Sequence, residues 1–141
     1  MTPSSTLIVY IDRSATVPGR LDELEQALGE LVAAIAGGSP RLLAYDAYLT
    51  DDRRSMTVVH VHPDSASLRH HLRVVEPLLP RFRGLVRLES IDLYGAPEED
   101  IVAVLGRKAA LLGGASLTVH RRLVGLEAAL PDPSRPSLLQ R

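Results

Sequence analysis

The chain has 141 residues, 16 basic against 17 acidic for a net charge of −1, and no cysteine. That length suits one domain able to bury about two thirds of its unfolded surface without cross-links. The charge balance gives no electrostatic footprint for nucleic acid or an anionic membrane, and the missing cysteine excludes disulfides, thiolate catalysis and cysteine-ligated zinc.

The first residues lack a basic stretch and pass directly into Leu7 to Ile11, a run too short for a signal core or a membrane span, so a cytoplasmic protein is expected. This β-branched run reads as a strand buried on both faces, closed by Asp12, Arg13 and Ser14 and the Pro18-Gly19 turn signal. From Arg20 the period becomes helical. Leu21, Leu24, Leu28, Leu31, Val32 and Ile35 share one arc, and Gly37-Gly38 ends the helix. Pro40 restarts an extended segment, Leu42 to Thr50. The polar turn at 51–54 joins it to Met56 to His62, a hairpin pattern.

Asp64 or Ser65 caps a second helix with the stripe Leu68, Leu72, Val75, Leu79 and Phe82. Pro77 and Pro80 each remove a helical hydrogen bond, which predicts a break near Val75 and irregular backbone beside a cavity. Val86 to Tyr94 is a fourth strand, completing a β-α-β-β-α-β order, the ferredoxin-like split βαβ arrangement of an α+β fold. An appendage follows. Pro97 and the acidic Glu98, Glu99 and Asp100 open a helix to Leu112, Ala115 to Arg121 reads as a short fifth strand, and 131–141, with three prolines, reads as a loose tail. Residues 1–130 are expected to form one domain.

The opening Leu7-Ile-Val-Tyr-Ile11, the hairpin into Val58-Val-His-Val-His-Pro-Asp64 and the helix Ser67-Leu-Arg-His-His-Leu72 resemble the dimeric α+β barrel superfamily, in its antibiotic biosynthesis monooxygenase-like branch. The resemblance spans roughly residues 6 to 95. It implies a homodimer packed sheet against sheet, because two helices cover one face of the sheet and leave an apolar face bare. It also implies a ligand between helices and sheet. Such proteins include cofactor-free oxygenases of quinols and anthrones, haem-degrading enzymes, polyketide cyclases and proteins without known activity, and the fold alone does not choose among them. The haem-degrading and anthrone-oxidising branches are associated with a pocket Asn and Trp. This sequence contains neither, which argues against both chemistries.

The candidate chemistry then falls to His, Tyr, Asp, Arg or Lys. His60 and His62 stand two apart on one strand and share a face. His62, or His71 on the margin of the second helix's apolar stripe, is the candidate general base, since imidazole titrates near neutrality. The same spacing permits a metal pair with His71 as third ligand, but no carboxylate or third histidine has diagnostic spacing, so no metal and no cofactor is expected. Tyr45 lies opposite Tyr48 and Asp46 on the second strand, so one tyrosine should reach the pocket. Tyr94 flanks the same sheet. Lys108 falls inside the apolar arc of Ile101, Val104, Leu105, Leu111 and Leu112, where an amine needs an anionic partner or must snorkel to water. These residues, with His60, are the candidate substrate ligands. With aromatics at 4%, an aliphatic cavity with one or two phenols is expected rather than a stacking box. The expected function is a cofactor-independent monooxygenase or cyclase acting on a small aromatic, quinol or polyketide-like metabolite. The alternative is a non-catalytic homodimer that binds a hydrophobic small molecule.

Overall fold

The computed structural model describes residues 5–126, so the expected tail at 131–141 lies outside the described residues. Five strands, β1 (Ile8–Thr16), β2 (Ala44–Leu49), β3 (Ser55–His62), β4 (Val86–Tyr94) and β5 (Ser116–His120), alternate with helices α1 (Leu21–Gly38), α2 (Ser65–Val75) and α3 (Glu99–Leu111). A 3-10 segment, Glu76–Phe82, continues from α2. The sheet order is β2-β3-β1-β4-β5, all neighbours antiparallel except the β4-β5 pair. The first four strands with α1 and α2 are the ferredoxin-like core. Helix α3 is the crossover that a parallel fifth strand requires. Among the described residues no helix is long and apolar enough to cross a membrane.

β1 differs from its sequence reading. Asp12, Arg13 and Ser14 lie inside the strand rather than in a turn, because β1 pairs with both β3 and β4 along this stretch. Hydrogen bonding on both edges overrides the weak turn preference of these residues. The period-2 alternation therefore continues, and Ile8, Tyr10, Asp12 and Ser14 all point towards the helices and are buried. The opposite face is only half-buried. On β4 a bulge, marked by the register shift between Arg13 and Ser14, lets Val86 and Leu88 and then Ile91 and Leu93 face inward. β4 leaves the sheet at Gly95, where φ is +127° and a Cβ would sit 2.6 Å from the Leu7 carbonyl oxygen, so only glycine fits.

α1 buries Leu24, Ala27, Leu31 and Ile35, whereas Val32 stays 46% exposed, outside the stripe expected of it. α2 opens with Asp64 as N-cap, its carboxylate accepting from the Ser67 amide at 2.8 Å. It ends at Val75, and the chain tightens into the 3-10 segment containing Pro77 and Pro80, as the lost hydrogen bonds require. α3 is no loose appendage. Ile101, Leu105 and Ala109 join the same hydrophobic cluster as the residues of the first four strands. Arg69 of α2 forks onto Asp100 at 2.6 and 2.9 Å, tying the start of α3 to α2.

These two attachments respond differently to conditions. Leu105→Ala, in a fully buried site, should cost about 2–5 kcal/mol at any pH in the native range. Arg69→Ala should lower the melting midpoint in low salt only. Arg69 holds the Asp100 carboxyl below its ordinary value, so this contribution is present above the unfolded value near pH ~4 and fades as pH falls through the depressed one. Thermal melts of both variants at three pH values and two ionic strengths check the contrast.

Candidate functional site

The inward face of β1 and β3 carries an unusual polar set under the helices. Tyr10 and Asp12 come from β1, His60 and His62 from β3, Tyr45 from the edge strand β2, His71 and Ser67 from α2, and Lys108 from α3. Strand alternation places the first five, since Tyr10 and Tyr45 both stand opposite His60 in the ladder. Tyr10, Asp12, His60, His62, Ser67 and His71 are all buried, the three histidines to 2%, 0% and 1% exposure.

Asp12 is the hub. The Lys108 ammonium donates to its Oδ2 at 3.0 Å and also to the Tyr10 hydroxyl, and His60 Nε2 donates to the same oxygen at 3.4 Å. Burial alone would raise the Asp12 pKa, yet Lys108 and then His60 hold the carboxyl far below the usual range. Burial pushes the Tyr10 and Tyr45 hydroxyls up, so both stay protonated. The Tyr10 ring stacks on His60 at 3.9 Å, and the Tyr45 ring meets the His60 ring edge-on at 4.7 Å.

The histidines form a second, drier cluster behind this ion pair. Their ring centroids lie 5.4 Å (His60 to His71) and 5.1 Å (His62 to His71) apart, and His62 Nδ1 pairs with the Ser67 hydroxyl at 2.9 Å. Burial lowers all three pKa values, to about 4 for His62 and about 2 for His71, so the imidazoles are neutral near pH 7. A cleft opens beside this set, with a small cavity of about 40 Å³. Leu31, Val58, Leu79, Phe82, Leu88 and Leu112 make its walls, and Asp12, Ser14, Tyr45 and Lys108 supply its polar end. Leu79 and Phe82 come from the proline-containing 3-10 segment, so the irregular backbone does border the cavity.

Of the residues singled out from the sequence, His60, His62, His71, Tyr45 and Lys108 are brought together, but only Tyr45 and Lys108 line the cleft. Asp46 and Tyr48 lie on the opposite face of β2, both exposed. Tyr94 also faces outward, stacked on His120 at 4.4 Å, with His120 Nε2 2.8 Å from Asp92. Sheet alternation keeps these three from the cleft. Asp12, Tyr10 and Ser67 were missed as site residues. The signal for Asp12 was its place two beyond Tyr10 and four beyond Ile8, a period-2 pattern obscured by its resemblance to a turn.

No family model matches the chain, and no curated protein matches it. Solved structures share its fold. MupZ from Pseudomonas fluorescens superposes with a TM-score of 0.61 at 13% identity over 93% of this chain and 98% of its own. SnoaB, a cofactor-independent oxygenase from Streptomyces nogalater, gives 0.55 at 22% identity over 66% of this chain and 95% of its own. A conserved protein from Methanosarcina mazei gives 0.57 at 17% identity over 64% and 92%. What the chain shares with these structures is the ferredoxin-like α+β fold.

The Lys108 to Asp12 pair makes a direct prediction. Lys108→Met strands a buried carboxylate and should cost about 3 kcal/mol, whereas the paired change Asp12→Leu with Lys108→Met should restore most of that stability. Urea unfolding of the three proteins measures it.

Proposed function

We propose that this chain is an enzyme of small-molecule metabolism that binds a compact, largely apolar substrate bearing a phenol or enol oxygen, and stabilises the anion of that substrate against Lys108. One observation carries the reading: an aliphatic cleft ends on a nearly buried ammonium, flanked by the Tyr45 ring and the Asp12 carboxylate. A fixed, nearly buried positive charge is worth most where negative charge develops during reaction.

Asp12 is the proton acceptor in this reading, in place of His62 or His71, which do not line the cleft. The substrate O–H bond breaks, its electron pair stays on oxygen, and the proton moves to the carboxylate. Lys108 then faces one anion before the step and one after it. The pairing that holds Asp12 in its ionised form passes to the substrate, so the carboxyl gains basicity as the new anion forms. The enolate carbon is the nucleophile of the next step. If dioxygen is the electrophile, a substrate CH2 becomes C=O and the second oxygen atom leaves as water with both hydrogens, a cofactor-independent monooxygenation. If a carbonyl of the same molecule is the electrophile, a carbon–carbon bond closes a ring and the alkoxide takes up a proton, a cyclisation. The resemblance in fold to SnoaB supports the first and excludes neither.

A carrier that holds such a metabolite without turnover is the second reading. It is favoured by the Lys108 amine already bonding to Asp12 and Tyr10. Oxygen uptake with a quinol panel, and product analysis with poly-β-ketone substrates, discriminate the two. In the enzyme reading Lys108→Gln lowers kcat/KM by about 100-fold or more, and the cleft-filling Val58→Phe raises KM. Stoichiometric ligand in native mass spectra with no turnover on either panel supports the carrier.

We further propose that a second copy of the chain covers the outward sheet face, where Val9 stands opposite Val61 and Ile11 opposite Val59 in a half-buried apolar stripe across the central strands. Sedimentation equilibrium should give a dimer, and Val59→Asp should give a folded monomer. A monomeric wild type at micromolar concentration overturns this arrangement.

A further inference from the structure

His60, His62 and His71 meet in the dry space between β3 and α2. Each holds one ring nitrogen, His60 Nδ1, His62 Nε2 and His71 Nδ1, that is buried and has no hydrogen-bond partner among the described residues. The three residues present one ligand atom each within 4.8 Å of one another. A single unpaired buried nitrogen costs about 1–3 kcal/mol, and sequence chance does not gather three at one point.

The ion pair fixes the tautomer of His60. Asp12, charged in the buried ion pair, only accepts, so His60 Nε2 carries the proton and donates to it. His60 Nδ1 is therefore a bare, buried lone pair. His62 Nδ1 meets the Ser67 hydroxyl at 2.9 Å, and the tautomer in which the hydroxyl accepts leaves a lone pair on His62 Nε2. In the tautomers that leave all three nitrogens bare, a water molecule donates only two hydrogen bonds and so satisfies two of the three lone pairs. A cation satisfies all three.

We propose that His60, His62 and His71 form a divalent transition-metal site, with zinc as the ion that suits three neutral imidazoles and no carboxylate. Asp12 and Ser67 hold the first two rings from behind, the carboxylate–histidine and hydroxyl–histidine arrangement that orients metal ligands. Bound zinc lies about 2.0–2.1 Å from each imidazole nitrogen, so the most distant pair closes by about 1.5 Å, a movement within reach of side-chain torsions. A second cleft, lined by Ser39, Arg41, Ser67 and His70, shares Ser67 with the cluster. Three protein ligands leave a fourth position for water or substrate. Because Asp12 bonds both His60 and Lys108, an ion here sits one residue away from the polar end of the cleft that Lys108 lines.

The site stands apart from the catalytic reading above, since a metal can bind whether or not a phenol is turned over. The test uses the whole chain, freed of metal by a chelator and dialysed, then titrated with ZnCl2 or CoCl2. One zinc per chain by elemental analysis, a visible spectrum of low-symmetry Co²⁺, and a melting midpoint that rises with zinc concentration are expected. His60→Gln, His62→Gln and His71→Gln should each weaken zinc binding more than tenfold, and the exposed controls His70→Gln and His120→Gln should leave it unchanged. If a ligand variant does not fold, X-ray absorption of the wild-type zinc protein decides, with a three-imidazole first shell expected. Zinc at well under one equivalent, binding unchanged by the His60, His62 and His71 substitutions, or a first shell without three imidazoles overturns the proposal. Lys108→Gln should lower kcat/KM by about 100-fold in the catalytic reading and still take up one zinc per chain, so either idea can fail alone.

Discussion

Asp12 holds a full negative charge at 4% exposure, and the architecture around the site follows from what that charge demands. An isolated carboxylate in such a place costs several kcal/mol unless a cation and further donors meet it. Lys108 meets it from α3, His60 from β3, and Asp12 itself stands on the central strand β1. The buried ion pair therefore binds the C-terminal crossover to the middle of the sheet. Without α3 the βαββαβ core would keep a carboxylate with no cation, so the fifth strand and its helix are part of the site and not an ornament on it.

The same carboxylate separates two environments. On one side the cleft is aliphatic and open, and its polar end is the Lys108 ammonium with the Tyr45 phenol. On the other side lie three neutral imidazoles sealed from water. Tyr45 and Tyr10 form the partition, each packed on the His60 ring. Any redistribution of charge in the cleft reaches the histidines through Asp12, and any charge among the histidines reaches Lys108 by the same route. At short range in a poorly screened interior such coupling is far stronger than between surface groups.

The fold was legible from the sequence wherever period and punctuation agreed. The β-branched run of β1, the helical stripe of α1, the Asp64 cap and the proline pair after Val75 each gave one reading, and each element is present. Lys108 was legible as a conflict, a charge in an apolar arc, and that conflict marked the site. Asp12 was not, because Asp-Arg-Ser after an apolar run has the composition of a turn. Only pairing with β3 and β4, long-range contacts that no local window contains, keeps it in the strand. The outward placement of Tyr48, Asp46 and Tyr94 shows the complementary limit. Alternation says that neighbours face opposite ways but not which way is in, until a buried partner such as His60 fixes the phase of its neighbours.

Stability alone does not account for this polar interior. A buried ion pair replaced by apolar side chains of similar size is often neutral or gains stability, and three unpaired imidazole nitrogens are liabilities that leucine or methionine would remove. Groups that break the local rules of a good core, without a compensating gain in packing, concentrate where a protein does chemistry. The apolar remainder of the same layer, Ile8, Val58, Leu68, Leu72, Ile91 and Leu93, shows that this chain packs an ordinary core where nothing else is asked of it. The departure is confined to one column running from Lys108 through Asp12 and His60 to His62 and His71. Its confinement to that line, beside a cleft, argues for function in the column as a unit.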